Sequence, residues 1–316
     1  MKEYIIGKNE AGQRFDKYIF KLLKNAGTGL IFKQLRNKNI VLNGKKAKGN
    51  EILKENDSVR IFMSDDTINK FTGGPLHISK TGFRLDVIYE DDDILLASKP
   101  VGVLSQKSSD KDISMNEYLI EYLTDNGFGK ENLATFKPSF CNRLDRNTSG
   151  LMIAGKSLRG LQKMSEIIKD RSIHKFYLTI VKGIVDKKSV IKGYLRKDEK
   201  NNKVVIYDNP VKDSYEIHTE YEPLATKDDM TLLKVRLITG KTHQIRAHLA
   251  GISHPVLGDF KYGDKVFNEK YGEKRQLLHS YQVVFPKLDN FPDISEKSFN
   301  TFFTCYVNFT KYFKEN

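Results

Sequence analysis

Cysteine is nearly missing from this chain. Cys141 and Cys305 are the two thiols in 316 residues, and tryptophan is absent altogether. Two cysteines exclude a disulfide framework and any all-cysteine zinc site. No apolar run approaches the roughly 20 residues needed to cross a bilayer. The opening Met1-Lys2-Glu3-Tyr4-Ile5-Ile6-Gly7 lacks the apolar core and cleavage site of a secretory signal, so a cytoplasmic protein with no membrane partner is expected. Acidic residues are also scarce: 40 stand against 53 basic ones, a formal charge of +13. That excess points to a polyanionic partner, nucleic acid ahead of an anionic membrane. What is present suffices for two domains, one with a sizeable core: 39% hydrophobic residues, including 15 Tyr and 19 Phe.

Residues 12–63 read as a compact unit. Phe15, Ile19, Leu22 and Leu23 recur at helical spacing and predict an amphipathic helix over Arg14–Lys24. Gly27-Thr28-Gly29 breaks it, and a second short helix is expected over Ile31–Asn37, with Lys33 and Arg36 on one face. Asn43-Gly44 is a two-residue hairpin signal after Ile40-Val41-Leu42, and Val59–Phe62 closes the unit as a strand. Twelve basic residues face four acidic ones in this unit, a surplus of eight. Asp65–Gly82, rich in turn formers, reads as a hinge. The expected organisation is therefore a first domain over 1–64, a linker over 65–82 and a large domain over 83–316.

In the large domain, two strands flank the Asp91-Asp92-Asp93 turn, and Met115–Leu123 is expected to be a helix. Leu158, Leu161, Met164, Ile167 and Ile168 mark an amphipathic helix over Ser157–Asp170. Ile173–Val181 alternates as a half-buried strand, with Lys175 and Tyr177 on one face and Phe176, Leu178 and Ile180 on the other. Residues 190–207 suggest a long hairpin, Tyr215–Tyr221 and Thr231–Ile238 two more strands, and Gln276–Ser280 the opening of a final one. Beyond Phe285-Pro286 a packed carboxy-terminal appendage is expected.

Chemistry concentrates in two stretches. In the first, Phe140 to Ile153, Asp145 sits between Arg143 and Arg146, followed by the turn formers Asn147 to Gly150 and a buried-strand run from Leu151. Flanking cations favour an ionised carboxylate. Such a group on a loop beside a strand serves as nucleophile, base or salt-bridge partner, and on charge pattern alone the structural ion pair comes first. The second stretch is Thr239 to Leu249. Its Gly240-Lys241-Thr242 is no phosphate-binding loop, because Val235 stands where the first glycine must be. His243 and His248 are five apart without a His-Glu-x-x-His pattern, which argues against a metal. Lys99, before Pro100, reads as an anchor of the fold rather than a phosphate contact.

Arg143-Leu144-Asp145-Arg146-Asn147-Thr148-Ser149-Gly150-Leu151 resembles the signature of the RluA-type pseudouridine synthases, the ribosomal large-subunit branch in particular. Asp92–Gly102, Lys175-x-Tyr177, Thr239–Leu249 and His254–Gly263 resemble further segments of that family in the same order. Arg14-x-Asp16-Lys17 with Lys33-Gln34-x-Arg36 is similar to the alpha-L RNA-binding module. The resemblance implies an α+β protein: a small helix-helix-hairpin RNA-binding domain and a large catalytic domain built on a mixed, mainly antiparallel sheet. It implies isomerisation of uridine to pseudouridine in RNA without cofactor or metal. Asp145 would be catalytic, Arg246 its ion-pair partner, Tyr177 the wall against the uracil and Leu278 a packing residue near the base. Arg14, Lys17, Lys33, Arg36, Lys38 and Lys45 would bind RNA. Large-subunit 23S ribosomal RNA is the expected substrate, transfer RNA the alternative, and a monomer the expected state. The family histidine before Arg-Leu-Asp is Asn142 here, which keeps hydrogen bonding but loses titration. Two other classes stay open: a catalytically dead RNA-binding assembly protein, for which Asn142 speaks, and an RNA methyltransferase, which needs a glycine-rich cofactor loop not found here.

Overall fold

The computed structural model describes residues 1–73, 80–129, 133–301, 309 and 311–313. Its first sheet has four strands, β1 (Lys2–Ile5), β2 (Ile40–Leu42), β3 (Lys45–Lys46) and β4 (Ser58–Ile61), in the order β1-β4-β2-β3. Asn43 and Gly44 both have positive φ, 50° and 72°, as a type I′ hairpin turn requires. Helices α1 (Phe15–Leu22) and α2 (Thr28–Arg36) pack their apolar faces on this sheet. The second helix starts earlier than expected because Gly27 is its N-cap and not a break.

The expected hinge is corrected at its start. Asp65–Thr72 forms helix α3: the Ser64 hydroxyl accepts from Thr67 N, acidic residues fill the first turn, and Gly73 ends it at φ 85°. Ile68 of α3 is buried in the core of the amino-terminal unit. Strand β1 was likewise not foreseen. Residues 74–79 of the expected linker lie outside the described residues.

The second sheet has eleven strands. They are β5 (Asp86–Glu90), β6 (Ile94–Lys99), β7 (Ser139–Phe140), β8 (Ser149–Gly155), β9 (His174–Lys182), β10 (Ser189–Asp198), β11 (Lys203–Tyr207), β12 (Tyr215–Lys227), β13 (Met230–Leu237), β14 (Leu278–Val284) and β15 (Ser298–Asn300). The order is β11-β10-β12-β13-β9-β14-β8-β6-β5, with β15 on β14 and β7 on β8. Every pair is antiparallel except β14 with β8, where His279 pairs Ser149 and Ser280 pairs Gly150. The sheet is thus mixed and mainly antiparallel, and the protein is α+β. The strand expected to be last, now β14, is followed by β15.

Strands β6 and β8 are buried on both faces, which explains their unbroken apolar runs. Leu95, Ala97, Met152 and Ala154 point to a core shared with α4 (Met115–Asp125) and α6 (Gln244–Gly251). Ile94, Leu96, Leu151 and Ile153 point the other way, to α5 (Leu158–Lys169) and to Phe285, Leu288, Phe291 and Ile294. Residues 285–294, just after β14, therefore cover this core. Gly150 makes the parallel pair attainable: its φ is +108°, and a Cβ there would overlap the Ser280 carbonyl. Among the described residues no helix is long and apolar enough to cross a membrane.

Candidate active site

Asp145 lies in the loop joining β7 to β8, and that loop is tied down on both sides of it. Before it, buried Leu144 donates from N to the Ser105 hydroxyl at 3.0 Å and accepts from the same oxygen at 2.7 Å. After it, the Arg146 carbonyl accepts from Lys99 Nζ at 3.0 Å and from Gly102 N at 2.8 Å. Thr148 N closes the turn on the Asp145 carbonyl at 3.0 Å. Lys99 is fully buried and also donates to the Pro100 carbonyl, the anchor that its place in the sequence suggests. Burial pulls its pKa down to about 8, with the Asp145 charge opposing.

The cation that meets Asp145 is Arg246. Its Nη1 donates to Asp145 Oδ2 at 2.7 Å. Neither sequence neighbour does this: Arg143 is exposed, and Arg146 donates from Nε to the Gly102 carbonyl. The expectation that the flanking arginines hold the carboxylate is therefore corrected. Side chains adjacent in a loop diverge, whereas α6 brings Arg246 across from a hundred residues away. The other side of the same guanidinium is bidentate on Asp259, from Nε at 2.7 Å and Nη2 at 2.9 Å. Burial disfavours the Arg246 charge, but Asp259 and then Asp145 outweigh it and raise the pKa. Asp259 is itself fully buried; burial is overcome by Arg246 and by the Lys261 and Tyr262 amides, and its pKa is lowered. Asp145 keeps 23% of its side chain exposed. One carboxylate is thus committed to the arginine while the other faces outward.

Tyr177 and Leu278 flank that open side. Both are 5% exposed, and with Asp145, His243 and Arg246 they line a pocket of about 60 Å³. The parallel β8–β14 pair sets Leu278 beside the Asp145 loop, and the antiparallel β9–β14 pair sets Tyr177 opposite Ser280. Burial first, and the Asp145 charge second, push the Tyr177 phenol up to about 12, against a hydrogen bond with Ser280. Tyr177 is a neutral hydroxyl at physiological pH.

Sequence reasoning missed two residues here. Asp259 lies in the His254–Gly263 stretch, where the sequence marks no site residue, yet it orients the arginine. His243 adopts the left-handed conformation (φ 54°) just before α6, and its Nδ1 lies 2.9 Å from the Tyr262 hydroxyl. Burial lowers the His243 pKa, with Asp145 opposing. The signal available was proximity in sequence to Gln244 and Arg246; only a three-dimensional fold brings Tyr262 to it. Asn142 accepts from Ile153 N at 2.8 Å and so keeps the hydrogen bonding expected of it. Among the described residues no group of three or more His, Cys, Asp or Glu could hold a metal ion.

The basic residues of the amino-terminal unit divide. Lys17, Lys33, Arg36, Lys38 and Lys45 are exposed. Arg14 is bound to Asp16 at 2.6 Å.

A family model described as RNA pseudouridylate synthase matches residues 93–251, a span that includes Asp145, Tyr177 and Arg246. An RNA pseudouridine synthase of Mycoplasma genitalium is 30% identical over 98% of each chain. The ribosomal large subunit pseudouridine synthase C of Pasteurella multocida is 29% identical over 90% of this chain and 86% of its own. Among solved structures, human RNA pseudouridylate synthase domain containing 4 superimposes with a TM-score of 0.56 at 20% identity, over 71% of this chain and 92% of that one; this likeness concerns the fold.

Proposed function

The chain belongs to the RNA pseudouridine synthase family, isomerases that convert uridine to pseudouridine within RNA, and we propose that its substrate is large-subunit ribosomal RNA and its catalytic residue Asp145. One observation carries the second half of this reading: a carboxylate fixed by Arg246 at 2.7 Å opens onto a pocket walled by Tyr177 and Leu278.

The isomerisation breaks the bond between uracil N1 and C1′ of the ribose, turns the base, and joins C5 to C1′. The proton leaves C5 and N1 ends protonated, so the atoms balance. A positive charge develops at the sugar as the first bond breaks, and a preorganised carboxylate at that junction stabilises it. Arg246 keeps Asp145 in place, and Asp259 keeps Arg246 in place. The Tyr177 ring and Leu278 hold the detached base against escape while it turns, the ring by its flat apolar face. A target base in helical RNA must first be extruded, at a cost of a few kcal/mol offset by backbone contacts and stacking. Exposed Lys17, Lys33, Arg36, Lys38 and Lys45 supply such contacts in this reading. Arg14, engaged with Asp16, contributes through its remaining exposed edge.

Support for ribosomal RNA comes from the names of relatives such as the Pasteurella enzyme and from the basic amino-terminal unit. A cytoplasmic monomer, with residues 1–64 docking RNA and the larger sheet performing catalysis, completes the proposal. Pseudouridine mapping of unmodified large-subunit ribosomal RNA and transfer RNA, incubated with wild type and with Asp145→Asn, tests it. New pseudouridine in ribosomal RNA from wild type alone is expected. Product in transfer RNA only would overturn the substrate assignment, and product from Asp145→Asn the catalytic one.

A further inference from the structure

Lys175 lies two residues before Tyr177 on β9, on the same face of the strand. Both line a cleft of about 680 Å³ that leads to Asp145. The other cations of this cleft have partners or lie open to water. Arg246 is bound by two carboxylates, Lys261 Nζ donates to the Asn202 carbonyl at 2.6 Å, and Lys241 sits over the Tyr215 ring at 3.9 Å. Arg143 and Arg146 are exposed.

Lys175 is different. It is 9% exposed, and among the described residues its ammonium meets no hydrogen-bond or ion-pair partner. The charge that acts on it is another cation, Arg171. Beside its Nζ stands Gly240, where a Cβ would come within 3.5 Å. With no side chain at that position, the ammonium faces the cleft. A largely buried lysine whose unpaired ammonium opens onto a cleft is poorly solvated, and it is satisfied when a substrate in the cleft brings the anion. RNA brings one phosphodiester per nucleotide. Two residues of strand span roughly 7 Å, comparable with the separation between a base and the phosphates of its own nucleotide.

We infer that Lys175 is a phosphate-binding residue, pairing with a phosphodiester that flanks the uridine held against Tyr177. It selects no sequence; it fixes the backbone on one side of the pocket so that the sugar–base junction meets Asp145. The inference rests on the RNA pseudouridine synthase reading, whichever RNA is modified.

The test compares wild type with Lys175→Met and Lys175→Arg on whichever unmodified RNA pool wild type modifies. Initial rates, RNA binding across a salt series and melting of the RNA-free proteins are measured. Lys175→Met is expected to raise KM about 10-fold, with the loss on KM and not on kcat. Its plot of log affinity against log salt should flatten by about 0.7–0.9, the loss of one phosphate contact. The RNA-free Lys175→Met protein should melt no lower than wild type, because an unpaired charge on a largely buried side chain has been removed. Lys175→Arg should restore most of the affinity. Gly240→Ala, at a glycine outside the left-handed region, adds a methyl beside the ammonium and should raise KM severalfold. Unchanged KM and salt slope would overturn the inference, as would a kcat loss at constant KM. A Lys175→Met protein that melts well below wild type would make the lysine structural. Absence of wild-type turnover on any RNA would remove the premise and the inference with it.

Discussion

Arg246 carries one positive charge and holds two carboxylates that differ in what they can do. Asp259 is buried and doubly bonded to it, whereas Asp145 takes a single bond and keeps an open side. The arrangement predicts different outcomes for the two amides. Asp145→Asn should abolish pseudouridine formation with little effect on melting, since the group is partly solvated. Asp259→Asn leaves a buried guanidinium with half its counter-charge and should destabilise the fold by about 3 kcal/mol. Its residual activity should drop roughly 10- to 100-fold through a misplaced Arg246. Thermal melts and initial rates on the same preparations check both. Tyr177→Phe keeps the wall and should retain far more activity than Tyr177→Ala, which removes it. Equal losses in the two variants would transfer the role from the ring to the hydroxyl.

Among the elements, β8 bears the most constraint, since it supplies core residues to both faces and follows directly from the Asp145 loop. Gly150→Ala should cost several kcal/mol, because its Cβ meets the Ser280 carbonyl at a backbone conformation that alanine avoids. A melting temperature within a degree or two of wild type would contradict this. The apolar run at 151–154, the helix over 158–169 and the Asn43-Gly44 hairpin are written in local pattern, so they were legible. Helix α3 was not, because Ser64-Asp65-Asp66 is both a turn signal and a helix start, and only Ile68 and Phe71 mark its inner face. The parallel meeting of β8 with β14 has no local signature, since strands about 130 residues apart are matched by packing. For the site, Asp145, Arg246, Tyr177 and Leu278 were reached through motif resemblance. Charge pattern alone chose Arg143 and Arg146 as partners of Asp145, because adjacency in sequence was taken for adjacency in space. Asp259 escaped notice for the converse reason: its segment looks like a turn, and its role exists only once Arg246 folds against it.

At the scale of the whole molecule, charge and protonation set the working conditions. Replacing Lys33, Arg36 and Lys38 together by alanine should weaken RNA binding at low salt and reduce the salt slope by roughly 2–3. An unchanged slope would remove this face from the RNA contact. Stability should also depend on pH through two buried histidines. Burial pulls His248 and His279 down to about 4 each. Their unfolded forms take up protons near pH 6.5, so the unfolded state binds more protons as pH falls from about 6.5 to 4. Stability is full above that window and declines within it, by about 3 kcal/mol for each histidine once both states are protonated. Denaturant melts between pH 4 and 8 should show this slope, and His279→Gln should flatten part of it; a flat profile in wild type would contradict the assignment.

The order in which the pocket's parts are synthesised has a consequence of its own. Asp145 leaves the ribosome well before Arg246, and Leu278 follows later still, with β14 the strand that β8 must meet. The amino-terminal unit, by contrast, has all its strands and basic residues within the first 73 positions. A nascent chain can therefore fold the basic surface proposed to dock RNA while the Asp145 pocket is still unbuilt, since domains fold as units in the order they emerge. Ribosome-bound chains stalled before residue 278 should hold RNA and leave every uridine unchanged.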